Sequence, residues 1–398
     1  MRSRGRIGAG AAALASLLLL AACLRGGITA FGPVVDRIAA ETGLGEAALG
    51  LIGTLPVAAF AIVSPFVHRP VARLGAEGVA LLALAGILAG LALRLLPGVG
   101  GLAAGTLLLG AGVAVGNVLV PVLVRRDFPE RIPLVTALAS SVMGGFAALG
   151  AGTAAPIAEP LGWRWALAAS LPLVLAAVLV WSVRALRVRP ALFATEDGGA
   201  GGPPPWRSGT AWLVAAHMGL QSAGFYITTA WLPSISRAAG ADAVRAGLDL
   251  FLCQLAGLLA GLAVTPIMAG RRDQRPAVLV ACAPLALGAA GMLLAPGLMT
   301  LWSVVLGIGQ GAGLVVALAL IALRADGTRQ AARLSGMTQG VGYALAALGP
   351  VLAGAAHEHG GSWAPVLLGL LGLSAAQAAI GWACGRDRVA EGPGFDRG

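Results

Sequence analysis

Between residues 10 and 384 the chain repeats one pattern: an apolar run long enough to cross a bilayer, then a short loop bearing arginine. A helix rises 1.5 Å per residue, so about 20 apolar residues cross a hydrocarbon core about 30 Å thick. Inside that core every backbone N–H and C=O must find an internal partner, which makes each run a helix. The runs and their flanks predict spans at 10–35, 47–67, 77–96, 101–124, 133–156 and 163–185, then at 209–233, 245–268, 276–296, 299–323, 334–356 and 363–384. With 58% hydrophobic and 11% charged residues, the chain has too few charges to clothe a water-soluble surface. It is expected to be an all-α polytopic membrane protein with 12 transmembrane helices.

Glycines lie four apart within several runs, as at Gly86/Gly90, Gly112/Gly116, Gly257/Gly261, Gly309/Gly313 and Gly336/Gly340. Such spacing lets helix backbones approach closely where lipid offers no hydrophobic drive for association. The four cysteines, Cys23, Cys253, Cys282 and Cys384, are scattered through apolar segments and form neither a disulfide framework nor a zinc site.

Every basic residue is arginine, and the arginines sit in short clusters between runs rather than in one patch. The net charge of +10 therefore reads as a topology signal and not as a nucleic-acid surface. On the side of the N-terminus 21 arginines flank alternate loops; the other side has five, and Arg25 lies within a span. That asymmetry puts both termini and the long polar segment VRPALFATEDGGAGGPPPWRSG (188–209) in the cytoplasm.

The halves of the chain echo one another. LGAGVAVGN (109–117) matches LGIGQGAGL (306–314) at an offset of 197 residues. LGWRW and GGSW open the sixth and twelfth spans, and the basic loop HRPVARLG returns after the eighth span as GRRDQRP. Two six-span repeats joined by a cytoplasmic linker resemble the major facilitator superfamily. The expected domains are a six-helix bundle at 1–187, a linker at 188–208, a second bundle at 209–385 and a tail at 386–398. The repeat also decides between two readings of LLLLAACLRGG (17–27). A lipoprotein-type cut before Cys23 would halve the first span, whereas the helix reading preserves twelve.

A polar side chain in lipid is costly and usually faces a partner or a cavity. Arg25 is read as the one arginine deep in a span, followed by Gly26 and Gly27, which loosen the helix. It can anchor an anionic or strongly polar solute through its forked donors, or bridge helices structurally. Other mid-span polar residues are Asn117, His217, Gln221, Tyr226, Gln254, Gln310, Gln339 and Tyr343. In a major facilitator bundle the first, fourth, seventh and tenth spans line the cavity, helped by the second, fifth, eighth and eleventh; polarity here gathers on those spans. No carboxylate lies deep in a span, Asp249 being about one turn into the eighth. His217 is the candidate for proton coupling, against a structural histidine. His357 and His359 flank Glu358 in an outer loop, where solvation is a simpler reading than metal binding. There is no zinc-helix motif, intramembrane aspartate pair or phosphate loop, so no enzyme is expected. Neither a cofactor nor a metal is expected.

Several segments are similar to the cyanate/nitroimidazole transporter family within the major facilitator superfamily. They are LRGGITAFGPVV, GLIGTLPVAAFAIVSP and AGVAVGNVLVPVLVRRDFPERI, then GLQSAGFYITTAWLPSI, GIGQGAGLVVALALIALRA and SGMTQGVGYALAALGPVLAG. The resemblance runs from the first span to the last. It implies that Arg25, Asn117, Gln221, Tyr226, Trp231, Gln254, Gln310, Gln339 and Tyr343 stand where the family has recurring polar and aromatic residues. Cys23 replaces an Asn before the arginine and Gly26 a Pro after it. The implied protein is a secondary transporter of the bacterial inner membrane, whose halves rock around a central site to move a small polar or anionic solute. A coupling proton is a further implied partner. The alternatives are a transport-inactive sensor on the same scaffold and an efflux pump of broader specificity.

Overall fold

The computed structural model describes residues 2–187 and 204–387, all of them helix, turn or coil. Most of the expected linker, with Arg189, and most of the tail lie outside the described residues. In the first half the long helices are α1 (Arg2–Cys23), α2 (Glu46–Val63), α3 (His68–Leu93), α4 (Val99–Asp127), α5 (Ile132–Leu161) and α6 (Leu171–Arg187). In the second they are α7 (Gly209–Ala238), α8 (Ala243–Ala263), α9 (Arg275–Leu294), α10 (Met299–Leu323), α11 (Gly327–Gly360) and α12 (Ala364–Cys384). Each overlaps an expected span; the first, expected at 10–35, is carried past Cys23 by shorter helical pieces. Among the described residues, ten helices are long and apolar enough to cross a membrane by themselves. The apolar part of α2 is shorter, Leu51–Phe66. α7 is 30 residues long but interrupts its apolar run with His217, Gln221 and Ser222.

The described residues form two compact units. One comprises 2–129, 141–187 and 327–336; the other comprises 130–140, 204–326 and 337–387. Within each unit one helix is central. The apolar window of α4 is 83% buried and that of α10 is 72% buried, against 33–50% for most of the others. The periphery is apolar instead, with Leu179 68% and Leu294 82% exposed, as lipid-facing residues are.

Glycine sets how closely neighbours approach the central helices, and it does so identically in both units. A Cβ on Gly112 would lie 2.7 Å from Ala83 O and from Ile87 N across the α3–α4 crossing. One on Gly309 would lie 2.8 Å from Ala281 O and 2.6 Å from Leu285 N across α9–α10. Gly110 meets Pro56 Cα at 2.6 Å from α2, and Gly307 meets Cys253 Cα at 2.8 Å from α8. The 197-residue repeat is thus a repeat of packing: the same small residues admit the same neighbours. All four cysteines are buried, none more than 3% exposed.

At one end of the first unit a short helix, Val35–Thr42, is clamped to another, Trp163–Ala168, that precedes α6. Glu41 accepts from Trp163 Nε1 (2.6 Å) and from Arg164 Nη1 (2.5 Å), and the Arg164 guanidinium lies 4.2 Å from the Trp163 ring centre. The carboxyl of Glu41 is held below its ordinary value by those two donors. The corresponding tryptophan of the second unit, Trp363, stacks on His357 at 3.8 Å and packs against Trp231. The tryptophans that open the sixth and twelfth spans therefore fasten neighbouring helices.

Candidate functional site in the membrane-spanning helices

In the first unit the chain breaks its first span at the arginine. α1 ends at Cys23, Leu24 and Arg25 form a turn, and a short helix resumes at Gly26–Thr29. Arg25 itself leaves helical geometry, with φ −125° and ψ −36°. The two following glycines explain what holds the break open. A Cβ on Gly26 would meet Phe146 O at 3.2 Å, and one on Gly150 would meet Gly26 Cα at 2.8 Å, so α5 lies directly on this backbone. Thr29 Oγ1 donates to Ala147 O at 2.7 Å, adding a second tie to α5.

An arginine that sequence reasoning counted only among the five of the opposite side completes the arrangement. Arg94, just past α3, is fully buried; its Nη1 donates to Gly27 O (2.6 Å) and its Nε to Thr106 Oγ1 (3.1 Å). Arg25 is therefore not the sole arginine withdrawn from water. The signal for Arg94 was present in its small neighbours: a Cβ on Gly105 would lie 2.9 Å from Arg94 Cγ, so a groove accommodates the side chain. The backbone around Arg25 is thus fixed by Arg94, Thr29 and α5. The guanidinium of Arg25 is half-buried and, among the described residues, makes no hydrogen bond or ion pair with another side chain or carbonyl. A broken span with an ionisable side chain at the break is a form that transporters use to bind solutes.

Asn117 is buried on α4, and the preceding Gly116 abuts the Leu24 side chain, with Leu24 Cγ 3.5 Å from where a Cβ would stand. Asn117 thus sits at the level of the break.

In the second unit α7 and α10 bring several expected residues into one hydrogen-bonded group. Gln221 Nε2 donates to Gln310 O (3.3 Å), Gln310 Nε2 to Thr228 Oγ1 (3.0 Å), and Ser222 Oγ to Gln221 Oε1 (3.5 Å). All are buried. Gln310 Oε1 has no hydrogen-bond partner, so this buried group retains acceptor capacity. Sequence reasoning missed Ser222, which bonds its neighbour Gln221, and Thr228, whose hydroxyl is unremarkable until the fold brings Gln310 to it. Gly313 supplies the space: a Cβ there would lie 3.3 Å from Gln221 Cγ and 3.5 Å from Gln377 Nε2.

His217, one turn before Gln221, is fully buried against α12, with Nδ1 3.2 Å from Gln377 O. A Cβ on Gly381 would lie 2.8 Å from that nitrogen, so the imidazole fills a gap between α7 and α12. No carboxylate pairs with it among the described residues. Gln339 and Tyr343 are buried on α11, beside the point where Gly342 Cα would stand 3.3 Å from a Cβ on Gly219 of α7. Tyr226 is half-buried and meets the edge of Phe225. Trp231 donates from Nε1 to Pro350 O at 2.9 Å, so its polar atom locks α7 to α11. Gln254 is exposed on α8 and joins no hydrogen bond of this group among the described residues. The one buried carboxylate of α8, Asp249, accepts from Thr300 Oγ1 at 2.6 Å.

Comparison with known proteins agrees with this architecture. Residues 17–306 match the family model described as Major Facilitator Superfamily. The chain is 37% identical over 376 residues to the 2-nitroimidazole transporter of Escherichia coli, covering 94% of this chain and 95% of that one. It is 28% identical over 375 residues to the cyanate transport protein CynX of the same organism, covering 90% and 94% respectively. Its fold is similar to that of the proton:xylose symporter XylE, with a TM-score of 0.76 over 95% of this chain and 97% of that one at 13% identity. This chain belongs to the major facilitator superfamily, and it is a polytopic membrane transporter rather than an enzyme.

Proposed function

We propose that the chain is a secondary transporter of the bacterial inner membrane for a small polar or anionic solute. It would work by alternating access, opening its solute site to one side of the membrane at a time. Cyanate and nitroimidazole-like compounds are the solute class, because relatives that align over nearly all of this chain are named for them. The observation that carries the reading is the half-buried guanidinium of Arg25 at a broken helix, on a backbone fixed by other residues. A planar cation held this way meets an anion or a nitro group with two parallel donors. Gln221, Gln310 and Asn117 offer neutral donors and acceptors suited to orienting such a solute. Tyr226, Gln254, Gln339 and Tyr343 are further contacts in this reading, and Trp231 shapes the site by holding α7 to α11. The functional halves are 1–187 and 209–385, with linker 188–208, tail 386–398 and both termini cytoplasmic. His217 we read as a packing residue rather than the proton carrier, since its ring fills a gap and faces a carbonyl.

Purified protein in proteoliposomes, loaded against labelled cyanate or 2-nitroimidazole, tests the reading. Net uptake is expected for the wild type. Arg25→Ala should weaken solute binding at least tenfold, with folding intact by thermal melting. Equal transport by a folded Arg25→Ala variant would remove the arginine from the site. Binding without flux in the wild type would make the protein a sensor.

A further inference from the structure

One face of α8 carries Asp249, Cys253 and Gly257 at four-residue steps, and all three meet α10. A Cβ on Gly257 would lie 3.0 Å from Gly307 O, and one on Gly307 would lie 2.8 Å from Cys253 Cα, so most of this crossing is close and apolar. Asp249, on the second turn of α8, is the exception. It is fully buried, and its Oδ1 accepts from Thr300 Oγ1 at 2.6 Å. Its Oδ2 is buried with no hydrogen-bond partner. Ser303, one turn along α10 from Thr300 and on the same face, is fully buried too, and its Oγ also has no partner.

The acids of the first unit that leave water are paired: Glu77 and Asp127 share Arg126 and Arg184. Asp249 forms no ion pair among the described residues. Arg245, one turn earlier on α8, is exposed, and so is Asp242, the residue that caps the helix. Among the elements packed on α8, α10 has no charged residue from Met299 to Leu323, and the short helix Thr265–Met268 has none either. α7 carries Arg237, exposed at its C-terminal end; its other titratable groups, Tyr226 and His217, lie farther back along the helix, His217 against Gln377 O of α12. A carboxylate shut in an apolar interface needs a positive charge close by, which the chain gives to Glu77 and Asp127 but not to this one. Oδ2, the open oxygen, is where that charge belongs.

We infer that Asp249 holds a small monovalent cation, a proton or a sodium ion, between α8 and α10. Both forms use groups that are in place. A proton on Oδ2 turns the carboxyl into a donor, and Ser303 Oγ is an acceptor on the facing helix. A sodium ion takes hard oxygen ligands, which Oδ2 and the hydroxyls of Ser303 and Thr300 supply. The way in from water is short, since the exposed Asp242 and Arg245 stand within two turns on the same helix. α10 also connects this residue to the hydrogen-bonded group of the second unit: Gln310 lies ten residues beyond Thr300, about 15 Å along one helix. Loading or emptying the cation changes the charge at the α8–α10 contact, and α10 carries that change to Gln310. The cation is then the one whose gradient drives the solute, a role that rests on the proposed transport function.

The full-length wild type and Asp249→Asn are compared in proteoliposomes with labelled 2-nitroimidazole. Uptake is driven by a pH gradient, by a sodium gradient at equal pH, or by neither. Exchange against internal solute, which needs no gradient, is read alongside. Wild-type accumulation should respond to at least one gradient, which names the ion. Asp249→Asn should lose that response at least tenfold while exchange stays within twofold of wild type. Equal loss of both would make the carboxylate structural and overturns the proposal. So does accumulation by Asp249→Asn equal to wild type, or wild-type accumulation indifferent to both gradients. Ser303→Ala keeps the carboxylate and should shift the half-saturating cation concentration at least threefold. It covers the case in which Asp249→Asn does not fold, and an unchanged value there overturns the proposal. A wild type that neither accumulates nor exchanges the solute counts against the transport function alone. The cation is then read on purified protein, as the infrared band of a protonated carboxyl or as sodium binding by calorimetry with choline as the control. Wild type should show one of these signals and Asp249→Asn should lose it; no signal, or one that both proteins share equally, overturns the site.

Discussion

At the scale of single residues, the two arginines at the break in the first span, Arg25 and Arg94, differ in their bonding. Arg94 donates to Gly27 O and Thr106 Oγ1, whereas the Arg25 guanidinium makes no such bond among the described residues. Losing Arg94 strands a buried carbonyl, which costs about 1–3 kcal/mol. Arg94→Ala should therefore lower the melting midpoint in detergent and, by loosening the backbone two residues beyond Arg25, also weaken solute binding. Arg25→Ala should do the second without the first. Melting curves and binding isotherms on the same preparations separate the two roles. Arg25, Asn117 and the glutamines were legible in the sequence because polarity in an apolar run is conspicuous. Arg94 was not, since an arginine at the end of a run looks like any loop charge until the groove made by Gly105 is seen. Ser222 and Thr228 were hidden for another reason: a hydroxyl can satisfy itself on its own helix, as Ser222 does on Gln221, and only the pairing of α7 with α10 gives Thr228 a further partner in Gln310.

At the scale of helices, glycine decides the crossing distances. A Cβ on Gly90 would lie 2.5 Å from Leu109 N and 2.7 Å from Gly105 O, both backbone atoms that cannot swing aside. Gly90→Ala should destabilise by about 1–3 kcal/mol, the usual cost of overpacking. Gly369→Ala on α12, with nothing within 4 Å of the added carbon, should be within about 0.5 kcal/mol of wild type by the same melt. The clamp between the short helices Val35–Thr42 and Trp163–Ala168 gives a pH signature. Glu41 has a lowered value in the folded chain, so its contribution is complete above the unfolded carboxylate value of about 4.3 and is lost as pH falls through the folded one. The midpoint difference between wild type and Glu41→Gln should be small, constant near neutrality, and gone well below pH of about 4. Half of the Glu41 side chain meets solvent, which keeps that difference small.

At the scale of the molecule, the fold was readable and its ionic fastening was not. Run length and the echo between LGAGVAVGN and LGIGQGAGL foretold twelve helices in two related sets, because bilayer thickness fixes helix length and packing fixes where glycine must stand. The cluster of Glu77, Arg126, Asp127 and Arg184, which joins α3, α4 and α6, left no such trace. Its arginines served equally well as topology charges, and pairing across 50 or 100 residues has no local pattern. Glu77→Gln would leave two largely buried guanidiniums short of counter-charge and should destabilise by roughly 3 kcal/mol. The burial of all four cysteines has a practical outcome. In the folded protein no native sulfur should react with a membrane-impermeant maleimide. A single cysteine substituted for Arg271 or for Glu41 would then be labelled alone, and intact cells would admit the reagent to only one of the two. The natural sequence is already a nearly blank background for mapping which way the chain faces.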